Sequence, residues 1–573
     1  MFDIFYKKNN NNELLKYLAK SGFTNTQNFI PLYSNFFQVD DRNFNSINLN
    51  HEWYISNIIT RETHNNFIVK CKNNKGNIQK FSSFFKFSPL LDPIKFLVGK
   101  YKNLKREKRI SLPKLNNNIC HNKVLDTNNS AYIDSFFSYL TSQLLNKHSF
   151  IHGVDFYGSF LTVQTNFIVN IFDDIEYLFA SDFFRKNRNK LFKIDEIDEN
   201  KLLDKETRNY RKRIKLQNSL KQIEGKEINN SIFENIFELT PENLKIHNES
   251  LNKESLKEEF SYDKNYKAKN KSTKKSSSTC SSRSSNTKGS DSDNSSLFSQ
   301  ENENSLSSDI SDYSSFDDND LVNATIYDFP VQVICLEKME YTLDSLLENE
   351  DKELTNDEWG SCLFQLIMIL ITYQKVFDFT HNDLHTNNIM YISTNRRYLN
   401  YKYNNIYYRV PTYGRIYKII DFGRSIYKFK GRVICSDSYH SEGDAATQYN
   451  FGPYFNDKKP RLTPNKSFDL CRLACSLFDY FEEDLMKPNI KNPIAKIINE
   501  WIKDNKGRNI LYKNNREERY PDFKLYKMIV RTVNNHIPEK QLKKEVFQKY
   551  LSSKRKIKNG KIINIDLLES MTD

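Results

Sequence analysis

The sequence predicts an α+β fold, rich in strands toward its N-terminal side and mainly helical toward its C-terminal side, with a long polar insertion between strand-like runs. Three observations carry this. Short strand-like runs cluster between residues 53 and 172, and apolar stretches at helical spacing dominate after residue 342. Between them the chain is first highly charged and then, from 271 to 320, almost devoid of apolar residues. Alternation over a few positions suits a half-buried strand, and recurrence every three to four residues suits a helix face.

Residues 1–50 are polar and Asn-rich and read as an N-terminal extension. A strand-rich region spans 51–184. "WYISNIIT", "NFIVKCK" and "FSSFFKF" are strand-like, and "NNKGN" at 73–77 has the residues of a hairpin turn. Residues 131–146 carry apolar positions at helical spacing, and two more strand-like runs follow, "GVDFYGSFLTV" and "NFIVNIF". The span 185–322 reads as one insertion, largely disordered, because it cannot bury enough apolar surface to offset the entropy of ordering. Order returns over residues 323–341, where "FPVQVICLEKM" suits a buried strand. A mainly helical region spans 342–545, with Thr342 as a helix cap and 357–377 as a long buried helix. Residues 546–573 form a basic tail.

Composition narrows the class. Hydrophobic residues are 38% and charged residues 27%, which is polar for a globular chain, while 14% aromatics can fill a core. The net charge of +13 favours acidic or nucleic-acid partners, above all for the basic insertion with its "RNYRKRIK" at 208–215. A Lys-rich solvated surface is the competing reading. Eight Cys without a C-x-x-C pair disfavour a disulfide scaffold or a zinc site, and Cys471 and Cys475 read as core residues on one helix face. The N-terminus lacks the apolar stretch of a signal peptide, and Leu363–Ile371, the most apolar segment, is too short to span a bilayer. The expectation is an intracellular protein with no membrane association.

Two segments carry chemistry. "FTHNDLHTNNIMY" puts His381, Asp383 and Asn388 on one short loop, and "YKIIDFGRSI" runs an apolar strand into Asp421-Phe422-Gly423. In spacing and order these resemble the catalytic loop and the metal-binding segment of the eukaryotic protein kinase superfamily. The resemblance implies a bilobal kinase fold, with 51–184 and 323–341 as a small β-rich N-lobe that carries the insertion and 342–545 as a mainly helical C-lobe, with ATP and Mg2+ as cofactors and with protein substrates. It gives Asp383 the hydroxyl proton of the substrate, Asn388 and Asp421 the magnesium, and His381, Phe422 and Gly423 supporting roles. Lys86, ending an alternating Phe/Ser run, is the candidate for the lysine that orients the phosphates, with Asp134 as its partner on the following helix; an ordinary strand-end lysine is the rival reading. Leu336 would flank the adenine, and the backbone from Glu337 to Met339 would bond its edge. Asp469 would hold the catalytic-loop backbone, or be simply a helix N-terminal carboxylate.

The sequence departs from the kinase pattern in four places. Asp383 and Asp421 lie 38 positions apart, about twice the usual spacing, so the strands between them should carry an extended hairpin. His385 stands where many protein kinases have Lys, and its charge would depend on pH. No G-x-G-x-x-G loop occurs near 53–70, and no Ala-Pro-Glu ends the segment Arg424–Pro464, whose Ser436, Ser438, Tyr439 and Thr447 lie where activating phosphates often go.

"KFSPLLDP", "HNDLHTNNIMY", "KIIDFGRSIYKFKG", "GDAATQYNFGPY", "SFDLCRLACSLFDY" and "ERYPDFKLYKMIVR" are similar to phrases in divergent serine/threonine kinases of large nucleocytoplasmic DNA viruses. That resemblance covers roughly 50–180 and 325–540 and implies a serine/threonine kinase acting in host cytoplasm or carried in virions. The alternatives are a pseudokinase scaffold, suggested by the missing Gly-rich loop, and a small-molecule kinase for amino-sugar or choline-like substrates, suggested by His385.

Overall fold

The alternating pattern of residues 53–89 folds as three antiparallel strands in a computed structural model that describes residues 2–8, 11–115, 119–195, 322–349, 353–481, 492–521, 523–557 and 560–573. The fold is mixed α+β. Its largest sheet has seven strands among the described residues: β1 (Phe23–Gln27), β2 (Trp53–Arg61), β3 (Asn66–Asn73), β4 (Ile78–Pro89), β5 (Phe156–Asn170), β6 (Phe192–Ile194) and β7 (Asn323–Glu337). They run β1-β5-β7-β4-β3-β2, with β6 also pairing β7, and every pairing is antiparallel. β7 is central because Phe329–Leu336 is apolar on both faces apart from Gln332, and that whole run is buried. The turn between β3 and β4 uses Gly76 at φ 81°, a conformation glycine adopts without steric cost.

The helical reading of 131–146 becomes α1 (Ser130–His148). The Asn129 side chain accepts from Ala131 N–H at its start, and Ser149 adopts φ 56° at its end. Residues Ala131–Leu144 are all buried, more than one amphipathic face requires. The sheet covers one side, where Tyr139 meets Phe156. Phe422 and Tyr427 cover the other, both against Phe137.

Thr342 caps the short helix Leu343–Glu348 by accepting from Ser345 N–H. α2 (Asn356–Phe377) opens with a capping box made by Thr355 and Glu358. With 22 residues it is long and apolar enough to cross a bilayer, unlike the short segment read from the sequence, but nearly all of it is buried inside the protein. β8 (Ile389–Ser393) pairs with β11 (Arg415–Ile419), and between them β9 (Tyr398–Tyr403) and β10 (Ile406–Pro411) form the extended hairpin. β12 (Ile426–Phe429) and β13 (Arg432–Cys435) make a second hairpin. α3 (Phe468–Phe481) and α4 (Lys524–Thr532) follow, and Cys471 and Cys475 are buried on α3.

Three boundaries change. The N-terminal extension supplies β1, and Phe23, Phe29, Ile30, Leu32 and Tyr33 are buried. The start of the insertion moves from 185 to 196, because the helix Asp182–Asn187 crosses the expected boundary and β6 pairs with β7. The remainder, 196–321, lies outside the described residues. The basic tail joins the β9–β10 hairpin as a sheet: Leu551–Ser552 pairs with β10 and Ile562–Asn564 runs parallel to β9.

The chain divides into two units, one of Met1–Ile197, Cys280–Tyr449 and Pro464–Asp573, the other of Asp198–Thr279 and Asn450–Thr463. In the second, Asn450 bridges Leu462, and its side-chain amide donates to the carbonyls of Asn456, Lys459 and Pro460.

Candidate active site

Lys86 sits near the end of β4, where the alternation of that strand turns it toward α1. Its ammonium lies 2.7 Å from the Asp134 carboxylate on α1 and 2.9 Å from the Asp421 carboxylate. All three side chains are largely withdrawn from water. Burial works to lower the lysine pKa, but the two carboxylates outweigh it and hold Lys86 well above its ordinary value. Burial pushes the Asp134 carboxyl up, and the neighbouring Asp421 adds to the rise against the pull of Lys86. The second Asp134 oxygen accepts from Phe422 N–H at 2.8 Å, so one side chain ties α1 to both the lysine and the Asp421-Phe422-Gly423 turn.

Asp421 adopts φ 64°, an uncommon conformation for a residue other than glycine, seen mostly in turns and at functional positions. Phe422 is buried among Phe137, Phe379 and His381, with ring centroids 4.7, 6.1 and 5.8 Å away. Gly423 leaves room beside the Asp421 carboxylate, where an added Cβ would sit 3.5 Å from Oδ1.

The loop 381–388 is held from below. Asp469, in the first turn of α3, accepts from both His381 N–H and Asn382 N–H at 2.9 Å. His381 Nε2 lies 2.9 Å from the Ile420 carbonyl, and Ile420 N–H donates to the Asn388 carbonyl at 3.0 Å. The loop is thereby locked to the residue that links β11 to Asp421. Asn388 Nδ2 donates to the Asp383 carbonyl at 2.9 Å and lies 3.2 Å from His385 Nε2.

Asp383 is buried. Tyr526 on α4 donates to its Oδ1 at 2.8 Å, and the Arg424 guanidinium lies 3.9 Å from Oδ2. Burial raises this carboxyl, yet Arg424, then His385 and Arg472, and the Tyr526 bond outweigh it and leave the pKa below the ordinary aspartate value. His385 is different. Burial dominates there and pushes its pKa down to about 4, so the ring is neutral near pH 7.

A cleft of about 130 Å³ is lined by Lys86, Asp134, Asp383, Asp421, Gly423 and Arg424. Residues nearly 300 positions apart in the sequence thus face one space. Leu336, Glu337 and Met339 lie at and just beyond the end of β7, outside this cleft. There the Leu336 carbonyl accepts from Ser83 Oγ at 2.8 Å, Glu337 N–H donates to the Asp155 carbonyl at 3.0 Å, and the Glu337 carboxylate pairs with Lys418.

Sequence reasoning missed Arg424, Arg472 and Tyr526. Arg424 directly follows the Asp-Phe-Gly triplet, and that adjacency was the available signal; it also pairs with Asp444. Arg472 Nε donates to Tyr526 Oη at 2.9 Å, and both lie far from Asp383 in sequence. Asp437 was missed as well. It pairs with Lys123, accepts from Ser130 N–H at 3.0 Å, and so ties the segment after Gly423 to the start of α1. Its neighbours Ser436 and Tyr439 are buried, Tyr439 donating to the Arg424 carbonyl, while Ser438 lines the cleft.

Among the described residues no group of three or more His, Cys, Asp or Glu is placed to hold a metal ion by itself. Asp421 and Asn388, the pair expected to hold magnesium, lie on segments joined by the Ile420 N–H bond to the Asn388 carbonyl at 3.0 Å. No protein-family model matches the chain, and a search of curated proteins finds no match.

Proposed function

We propose that this protein is a bilobal protein kinase that transfers the γ-phosphoryl group of Mg-ATP to serine or threonine hydroxyls of protein substrates. The observation that carries the reading is the Lys86 ammonium bridging Asp134 and Asp421 in the cleft that also contains Asp383. A lysine with no other task is an expensive thing to bury between two acids. As a phosphate-orienting group facing a metal-binding carboxylate, it is in place for chemistry. The strand order β2-β3-β4-β7-β5, with α1 leaving after β4, also supports a kinase small lobe.

Each residue then has a task. Asp383, kept ionised by Arg424 and Tyr526, accepts the proton of the attacking hydroxyl. Asp421 and Asn388 would hold magnesium, and Lys86 would orient the phosphates. Mg-ATP supplies the transferable phosphoryl group. Asp469 and the His381–Ile420 contact fix the loop so that little reorganisation is needed during transfer. Arg424, following Gly423, provides beside Asp383 the positive charge that neutral His385 does not.

The test is radiolabelled transfer from Mg-ATP to a generic basic protein, comparing wild type with Asp383→Asn, Asp421→Asn and Lys86→Met. The proposal expects a loss of about 10²-fold or more in each variant with circular dichroism unchanged. Equal incorporation in all four proteins, or none in wild type alongside no nucleotide-induced thermal shift, would overturn it.

A further inference from the structure

A second cleft, of about 550 Å³, lies away from the proposed active site. Three segments remote in sequence build it: the end of α1 with Ser149 and Ile151, the β9–β10 hairpin with the residues leading into it, and residues 556, 557 and 560–563. Five cations line it, Arg396, Arg397, Arg409, Lys556 and Lys561, and all five are exposed. Among the described residues none of them makes an ion pair, and no carboxylate lines the cleft. The Arg409 guanidinium instead stacks 3.7 Å above the Tyr398 ring. The floor is apolar, with Leu145, Ile151 and Ile563.

An independent feature is Asn400. Its side chain is 8% exposed and lines the same cleft. Its amide nitrogen reaches the Lys561 carbonyl at 3.4 Å, while its Oδ1 finds no donor among the described residues. A buried acceptor without a donor costs free energy until something supplies one.

We propose that this cleft binds an acidic peptide segment of a partner protein, one that alternates carboxylate and apolar side chains. Each part of the site selects one part of that ligand. The cationic rim takes the carboxylates, the apolar floor takes the intervening side chains, and Asn400 Oδ1 accepts a peptide N–H. A nucleic acid would satisfy the rim, and its 2′-hydroxyl or base amines can donate to Asn400, but it has no aliphatic side chains for the floor. The proposal is independent of phosphoryl transfer, because no residue in it belongs to that site.

The test uses fluorescence anisotropy on the full chain with a short labelled peptide alternating aspartate and leucine. Controls are the same peptide with asparagine for aspartate, a single-stranded oligonucleotide, and inorganic phosphate as competitor. The acidic peptide should bind about tenfold or more tighter than its asparagine counterpart near 0.1 M salt, and weaken as salt rises. Arg396→Glu combined with Lys561→Glu should weaken it about tenfold or more, and Asn400→Ala severalfold, each with an unchanged melting temperature. Equal binding of the two peptides, or wild-type binding by the charge-reversed protein, would overturn the proposal. So would an oligonucleotide that binds tighter and displaces the peptide, or displacement by millimolar phosphate alone.

Discussion

At the scale of single residues, the decisive exchange is between His385 and Arg424. His385 is neutral near pH 7 because burial holds its pKa at about 4, and the charge beside Asp383 comes from Arg424. Arg424 is the largest influence opposing burial at Asp383. In Arg424→Ala, burial should therefore gain the upper hand and raise the Asp383 pKa. On the proposed function Asp383 is the general base and must be ionised, so the acid limb of the kcat/KM profile for phosphate transfer should move to higher pH, with a loss of about tenfold or more at neutral pH. An acid limb that stays where it is in the variant would remove Arg424 from this role. Asp383 and Asn388 were legible from their short spacing on one loop, and Asp421 from the Asp-Phe-Gly triplet that follows an apolar strand. It left Arg424, Arg472 and Tyr526 unread because a guanidinium or phenol can reach a carboxylate from any element. Tyr526 does so from 143 positions away, and no local pattern marks such a contact.

At the scale of elements, α1 connects the sheet to the proposed catalytic segments. Phe137 stacks on Phe379 at 4.4 Å and meets Phe422 and Tyr427, each at 4.7 Å. Phe137→Ala would leave a cavity among rings that are themselves anchored by β12 and the 381–388 loop, so collapse into it is restricted. The expected cost is about 3–5 kcal/mol, read from urea unfolding, and a loss under about 1 kcal/mol would mean the rings repack freely. The position of α1 was legible because its apolar residues recur at helical spacing. β1 was not: "FTNTQ" has only Phe23 and Gln27 buried, and its place in the sheet is decided by pairing with Leu161–Gln164. The pairing of the tail was illegible for a related reason: the parallel contact of Ile562–Asn564 with β9 depends on a hairpin more than 150 positions earlier.

At the scale of the whole molecule, the long segment 196–321 enters and leaves at neighbouring points. Asp195 N–H donates to the Asn323 carbonyl at 3.0 Å, and Asn323 N–H returns a bond to the Asp195 carboxylate at 3.0 Å. The sequence reading found a polar insertion there from its lack of apolar residues, but composition has no sharp edge. The true edge is set by β6, whose Phe192 and Ile194 are buried against β7. Because both ends are already hydrogen-bonded partners, the sheet needs only a turn to join them. Replacing 196–321 with about four Gly/Ser residues would shorten the closed loop about thirtyfold, which lowers the closure entropy by about 3 kcal/mol. The shortened protein should therefore melt at the same temperature as the full chain or a few degrees higher, and should keep phosphate transfer to a generic substrate. A melting temperature lowered by ten degrees or more would show that 196–321 contributes packing the sheet depends on. Retained stability with lost transfer would instead make the insertion part of the catalytic apparatus.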